Sequence, residues 1–152
     1  MNRIIPALTL WQPWASLMHL GPKTIETRGW ATRYRGPLAI HAAARRLTKK
    51  EIWHIKFDCG DWEAIRKAMK ERGLWPPENL PLGKVLCVRR MVACRPTREL
   101  RDNPQYAIQL PFGDFSDGRF GWITEKLLDF HEPIKAQGQR GIWDWECPDV
   151  QG

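Results

Sequence analysis

The chain of 152 residues is 43% hydrophobic and 27% charged, the balance of one globular domain able to bury a core without disulfide or metal staples. Its net charge of +7 is unevenly placed: residues 1–50 hold nine Lys or Arg against one acid, Glu26, whereas residues 51–100 hold ten against seven and residues 101–152 five against nine. No apolar run approaches the ~18 residues of a membrane span, no secretory segment precedes the four cysteines, and those cysteines form no Cys-x-x-Cys pair. A cytoplasmic protein is therefore expected, without membrane contact, disulfide framework or metal site. No HExxH, phosphate-cradling Gly-rich loop or dinucleotide fingerprint occurs, so no cofactor is expected either.

In chain order, residues 7–10 read as a first strand. Pro13 suits the first position of a helix on which Trp14, Leu17 and Met18 share one side, and Gly21-Pro22 ends it. Residues 23–28 alternate, with Lys23, Ile25 and Thr27 on one face and Thr24, Glu26 and Arg28 on the other. A regular strand would turn Lys23 away from Glu26; only a bulge or the helix–strand corner brings them together. Residues 37–42 predict a buried strand. His41, at its end, is either a ligand-contacting or proton-transferring group, or a histidine hydrogen-bonded within the wall.

The middle predicts helices. Thr48-Lys49-Lys50-Glu51 is a capping box, followed by Ile52, Trp53, Ile55 and Phe57 as an apolar side. Asp61 can cap a second helix with Trp62, Ile65 and Met69 inward, and both Trp53 and Trp62 read as packing. Residues 75–81 contain three prolines and predict a stiff connection. Residues 83–96 predict a long strand, apolar on parts of both faces, with a bulge near Arg89-Arg90. Residues 97–101 suit one helical turn, and residues 103–118 a Pro- and Gly-bearing loop, the candidate mobile flap. Residues 119–134 and 142–145 supply the last strands, joined through the basic turn at Gly138-Gln139-Arg140-Gly141.

Gly21-x-Lys23-x-x-Glu26-x-Arg28 resembles the signature of the ASCH domain family. Trp11-Gln12-Pro13-Trp14, Tyr34-Arg35-Gly36-Pro37-Leu38-Ala39-Ile40-His41 and Gln139-Arg140-Gly141-Ile142-Trp143 extend the resemblance over most of the chain. It implies a single α+β domain over residues 1–152, a PUA-like mixed β-barrel flanked by three or four helices. It also implies a nucleic-acid-binding or nucleotide-directed role; certain members are hydrolases acting on modified nucleosides or on RNA. Those hydrolases carry a lysine at the position of Lys23 and a threonine three residues on, where this chain has Glu26. A carboxylate can activate water but cannot accept an acyl group as a hydroxyl does, a departure that counts against amide hydrolysis of an acetylated cytidine and leaves another hydrolysis open.

Arg28, Arg33, Arg35, Arg45, Arg46, Lys49 and Lys50 interleave with Trp30 and Tyr34, a pattern suited to phosphates with stackable bases. The expected partner is RNA or a nucleotide, held in a basic cleft lined by Trp11, Gln12, Lys23, Glu26, Arg28, Arg35, His41 and Arg140, with Arg45 and Arg46 contributing charge. If the chain is an enzyme, it is a metal-independent hydrolase, a ribonuclease or a nucleoside amidohydrolase, using Lys23, with a pKa lowered by desolvation, and Glu26. Glu26 could equally be a structural lock on an arginine. A third reading is a protein-interaction adaptor whose tryptophans are all structural.

Overall fold

The computed structural model describes residues 2–148. Strand β1 (Arg3–Leu10) leads into helix α1 (Trp14–Leu20), then β2 (Ile25–Arg28) and β3 (Gly36–Ala42). Helices α2 (Lys49–Phe57) and α3 (Asp61–Glu71) follow, then β4 (Lys84–Pro96), α4 (Thr97–Arg101), β5 (Phe120–Lys135) and β6 (Ile142–Cys147). Short 3-10 segments lie at Pro77–Asn79 and Pro104–Phe112. The class is α+β, as expected.

The six strands form one mixed sheet in the order β2-β5-β4-β3-β1-β6, parallel only between β1 and β3. The expected barrel is not closed: among the described residues, β2 and β6 stand at opposite edges with no ladder between them. The reason lies in β2, which is four residues long and is met at its open side by side chains and loop rather than by a strand. The Asp114 N–H donates to Thr27 Oγ1, Arg119 Nη2 donates to the Thr27 carbonyl, and Arg28 Nη2 reaches across to the Thr9 carbonyl of β1 at 3.1 Å.

Both faces of the central strands are buried, as the apolar residues on both sides of β3 and β4 require. Leu8, Leu38, Ile40, Leu86 and Trp122 pack beneath Ala15 and Met18 of α1; Ala39, Val85, Val88, Phe130 and Trp143 fill the opposite face. Leu17, on the other side of α1, joins Ile55, Ile65, Met69 and Phe112 in a helical core. Helix α1 is thus clamped between two cores, which fixes the chain on either side of it. The bulge expected in β4 is present, with a register shift between Val88 and Arg89 and two others along the strand.

The Thr48–Glu51 capping box forms as expected. Four details differ. Pro13 flanks α1 instead of opening it, and Gln12 supplies the missing cap: its Oε1 accepts the Ser16 N–H while its Nε2 donates to Ser16 Oγ and the Pro81 carbonyl. Gly60, not Asp61, precedes α3, at a φ of 72°. Helix α2 buries only Ile55, leaving Trp53 52% and Phe57 65% exposed, so Trp53 is not core packing. The expected flap is instead anchored. Gln109, buried within its 3-10 segment, donates to the Pro22 carbonyl and accepts the Thr24 N–H, both at 2.8 Å.

Candidate functional site

Between the end of β1 and β2 lies a cleft of about 720 Å³. Trp14 of helix α1, the start of α3 and residues 111–114 contribute to its lining. Trp11, Trp14, Trp30 and Trp62 line it.

At its base Lys23 sits at the corner before β2, outside the strand, and this corner brings Lys23 and Glu26 together. Lys23 is 1% exposed. Its ammonium donates to the Ile25 carbonyl at 2.8 Å and the Phe112 carbonyl at 2.6 Å, and lies 3.3 Å from Glu26 Oε1. Burial pulls the Lys23 pKa below the ordinary lysine value, while Glu26 holds it up. The other carboxylate oxygen of Glu26 lies 3.2 Å from Arg28 Nε, and the Arg28 guanidinium sits over Trp30, 5.4 Å from the ring centre. Glu26 is thus the middle of a cation–carboxylate–cation row, with the motif's three charges collected on one short corner. Its side chain keeps 12% exposure.

The lining is not basic. Lys23, Arg28 and Arg119 are matched by Glu26, Asp61 and Asp114, which corrects the expectation of a basic cleft. Hydrogen bonds from Ser116 hold Asp114 below the usual carboxylate range, so this acid stays ionised near neutrality. The positive surplus of the N-terminal third lies outside the cleft.

Of the residues expected to line it, Trp11, Lys23, Glu26 and Arg28 do so; Gln12, Arg35, His41 and Arg140 do not. Gln12 is buried beside a smaller groove, of about 440 Å³, which Arg46 also borders. Arg35 is exposed and donates to the carbonyls of Thr32 and Tyr34, closing its own loop. Arg140 is exposed in the turn before β6. Arg45 lies over the Trp11 ring at 4.0 Å and pairs with Glu51, so it is a brace at the cleft's rim.

His41 belongs to the wall. It is 1% exposed, its Nδ1 is 3.1 Å from Thr9 Oγ1 and its Nε2 2.7 Å from the Ala136 carbonyl, and Trp143 meets the ring edge-on. A Cβ at Gly138 would stand 2.7 Å from His41 Cε1 and 2.8 Å from Thr9 Oγ1. Gly138→Ala is therefore expected to cost about 1–3 kcal/mol by overpacking. A denaturant titration should show this as a lowered midpoint.

Residues 8–130 match the ASCH domain, covering the corner motif, the cleft walls and most of the sheet. The chain belongs to the ASCH domain family. It is also similar to activating signal cointegrator 1 of Homo sapiens and of Mus musculus, each 25% identical over 146 residues. Those residues are 95% of this chain but 23% of either relative, so the chain spans about a quarter of their length.

Within this ASCH domain, sequence reasoning missed Trp62, Asp61, Arg119 and residues 111–114 as cleft residues. Trp62 lies at helical spacing, which marks core as readily as a site. The sequence of residues 111–114, Pro-Phe-Gly-Asp, does carry a signal. Gly113 packs so closely on Thr27 that a Cβ would stand 3.0 Å from its Oγ1, and only glycine leaves that approach free. Among the described residues no group of three or more His, Cys, Asp or Glu side chains is placed to hold a metal, and no helix is long and apolar enough to cross a membrane.

Proposed function

We propose that this ASCH domain binds single-stranded RNA by admitting one unstacked base to the cleft. The observation that carries the reading is Glu26, a carboxylate pinned between two cations and still reachable on the floor of a tryptophan-walled cavity. Recognition of an unstacked base needs aromatic faces to stack on and a fixed polar group to meet its N–H edge. Trp11, Trp14, Trp30 and Trp62 offer faces, and Glu26 offers an acceptor whose orientation Lys23 and Arg28 hold. The cavity falls within the ~300–1,000 Å³ of small-ligand sites. The balanced charge of the lining suits a base or nucleoside better than a bare phosphate, and leaves the backbone to the basic exterior.

Lys23 supports binding over hydrolysis in this reading. An amine nucleophile needs a free lone pair, whereas the Lys23 ammonium directs its hydrogens to two carbonyls and Glu26. Its role here is positioning.

Competition binding separates the two parts of the proposal. A short labelled single-stranded RNA should lose affinity with salt by about 0.7 log units per log of salt for each phosphate engaged. Free ribonucleosides should displace it, with affinities that barely respond to salt. RNA should be recovered intact from the metal-free protein. Nucleosides that never compete, or duplex RNA binding as well as single strands, would overturn the cleft reading. Cleaved RNA would move it to the hydrolase.

A further inference from the structure

The aromatic wall continues beyond the cleft. Trp14 meets Trp62 at 6.0 Å between ring centres, and Trp62 stacks on His54 at 5.8 Å with planes 21° apart. His54 meets Trp53 edge-on at 5.3 Å, and Trp53 leans on Phe57 at 6.4 Å. The inner three rings are half-buried; the last two are exposed on α2. These two large apolar side chains, four residues apart on the helix, turn more than half of their surface to water.

Their neighbours indicate the occupant. Lys49 and Lys50 precede Trp53 by four and three residues, which places them on its face one turn back. Both are exposed, and neither takes part in an ion pair among the described residues, whereas Lys56 is held by Glu78 at 2.7 Å. Asp58, the acid beside the rings, is engaged by His54 and by the Cys59 N–H. Aromatic faces beside unpaired ammonium groups, continuous with a base-sized cavity, match a single strand's alternation of bases and phosphates.

We infer that α2 carries an outer subsite for the same strand, where bases flanking the one in the cleft stack on Trp53 and Phe57 while Lys49 and Lys50 meet the adjoining phosphates. This rests on the cleft reading above and adds to it a footprint of several nucleotides and a direction of exit, past α3 and over α2.

Anisotropy with labelled oligoribonucleotides of about one, three and six residues tests it on the full chain. Affinity should rise with length. Trp53→Ala should weaken the longest probe about tenfold, the scale of one missing base–aromatic stack, and leave the mononucleotide unchanged. Trp53→Phe, which keeps a ring, should recover most of the loss. Removing both Lys49 and Lys50 should flatten the salt slope by about 0.7 for each phosphate no longer neutralised. A length dependence that Trp53→Ala leaves intact would overturn the outer subsite while the cleft stands; a helix face serving a protein partner would give that result. If Trp53→Ala weakens the long probe but the mononucleotide does not bind, the cleft reading fails and the outer subsite survives. Absence of binding at every length would sink both.

Discussion

Replacing Lys23 by methionine should cost about 3–5 kcal/mol, the scale for breaking a buried ion pair from one side. Methionine fills much the same space, so the loss is electrostatic rather than a cavity. It removes one of the two cations beside Glu26 and the donor to the carbonyls of Ile25 and Phe112. At roughly 2–4 °C per kcal/mol for a chain of this size, the melting temperature should fall by about 10 °C. The pH dependence has a definite sign. The folded-state pKa of Lys23 is below its ordinary value of 10.5, so between those two values the unfolded chain holds a proton that the folded chain has released. Stability contributed by this site therefore rises with pH through that window, and the burial penalty is fully present below it. Melts of wild type and Lys23→Met over that range should diverge as pH rises. Parallel curves would show that Lys23 keeps an ordinary pKa, and an unchanged melt that its ion pair contributes nothing.

Glu26→Gln should act on stability and recognition together. The amide keeps the shape but leaves Lys23 and Arg28 side by side with no charge between them, a cost on the order of 3 kcal/mol. At a temperature well below both melts, affinity for short single-stranded RNA should also fall, by about tenfold to a hundredfold, the range for a hydrogen bond to a charged group. The two effects separate the roles of this carboxylate. A purely structural lock predicts a lower melt with affinity retained by the folded fraction. An acid that merely repels phosphate predicts tighter binding and an unchanged melt, and that result would remove Glu26 from the recognition of RNA.

The local elements were legible because their causes are local. The capping box at Thr48, the glycine and proline after α1, and the mixed apolar faces of β4 each act within a few residues, and each appears where its chemistry placed it. The same holds for the corner at Lys23, whose approach to Glu26 follows from its lying just outside β2. Contacts spanning the chain were not legible. Nothing near Gln109 indicates that its side chain will pin the backbone at Pro22 and Thr24, some 85 residues away in sequence, so the segment read as a flap. His41 and Arg35 sit in family landmarks, yet their hydrogen bonds stay within the wall and the loop that hold the cleft's surroundings in place. Trp53 and Trp62 have similar helical settings, but one faces water and the other borders the cavity. That distinction depends on what packs beside α2 and α3, which no period in the sequence encodes.

The placing of β2 has a consequence for how the molecule assembles. The motif spans eight consecutive residues, but its strand pairs only with β5, Ile25 opposite Ile123, and its lysine is capped by a carbonyl at residue 112. Loop closure over nearly a hundred residues must therefore precede the first native pairing made by that strand. Until that closure is made, the corner stays open, with a lysine destined for burial still in water. Such a high contact order favours slow folding. It also ties the cleft to completion of the sheet: a chain cut short before β5 would carry every lining residue of the cleft but lack the strand that holds β2 in place.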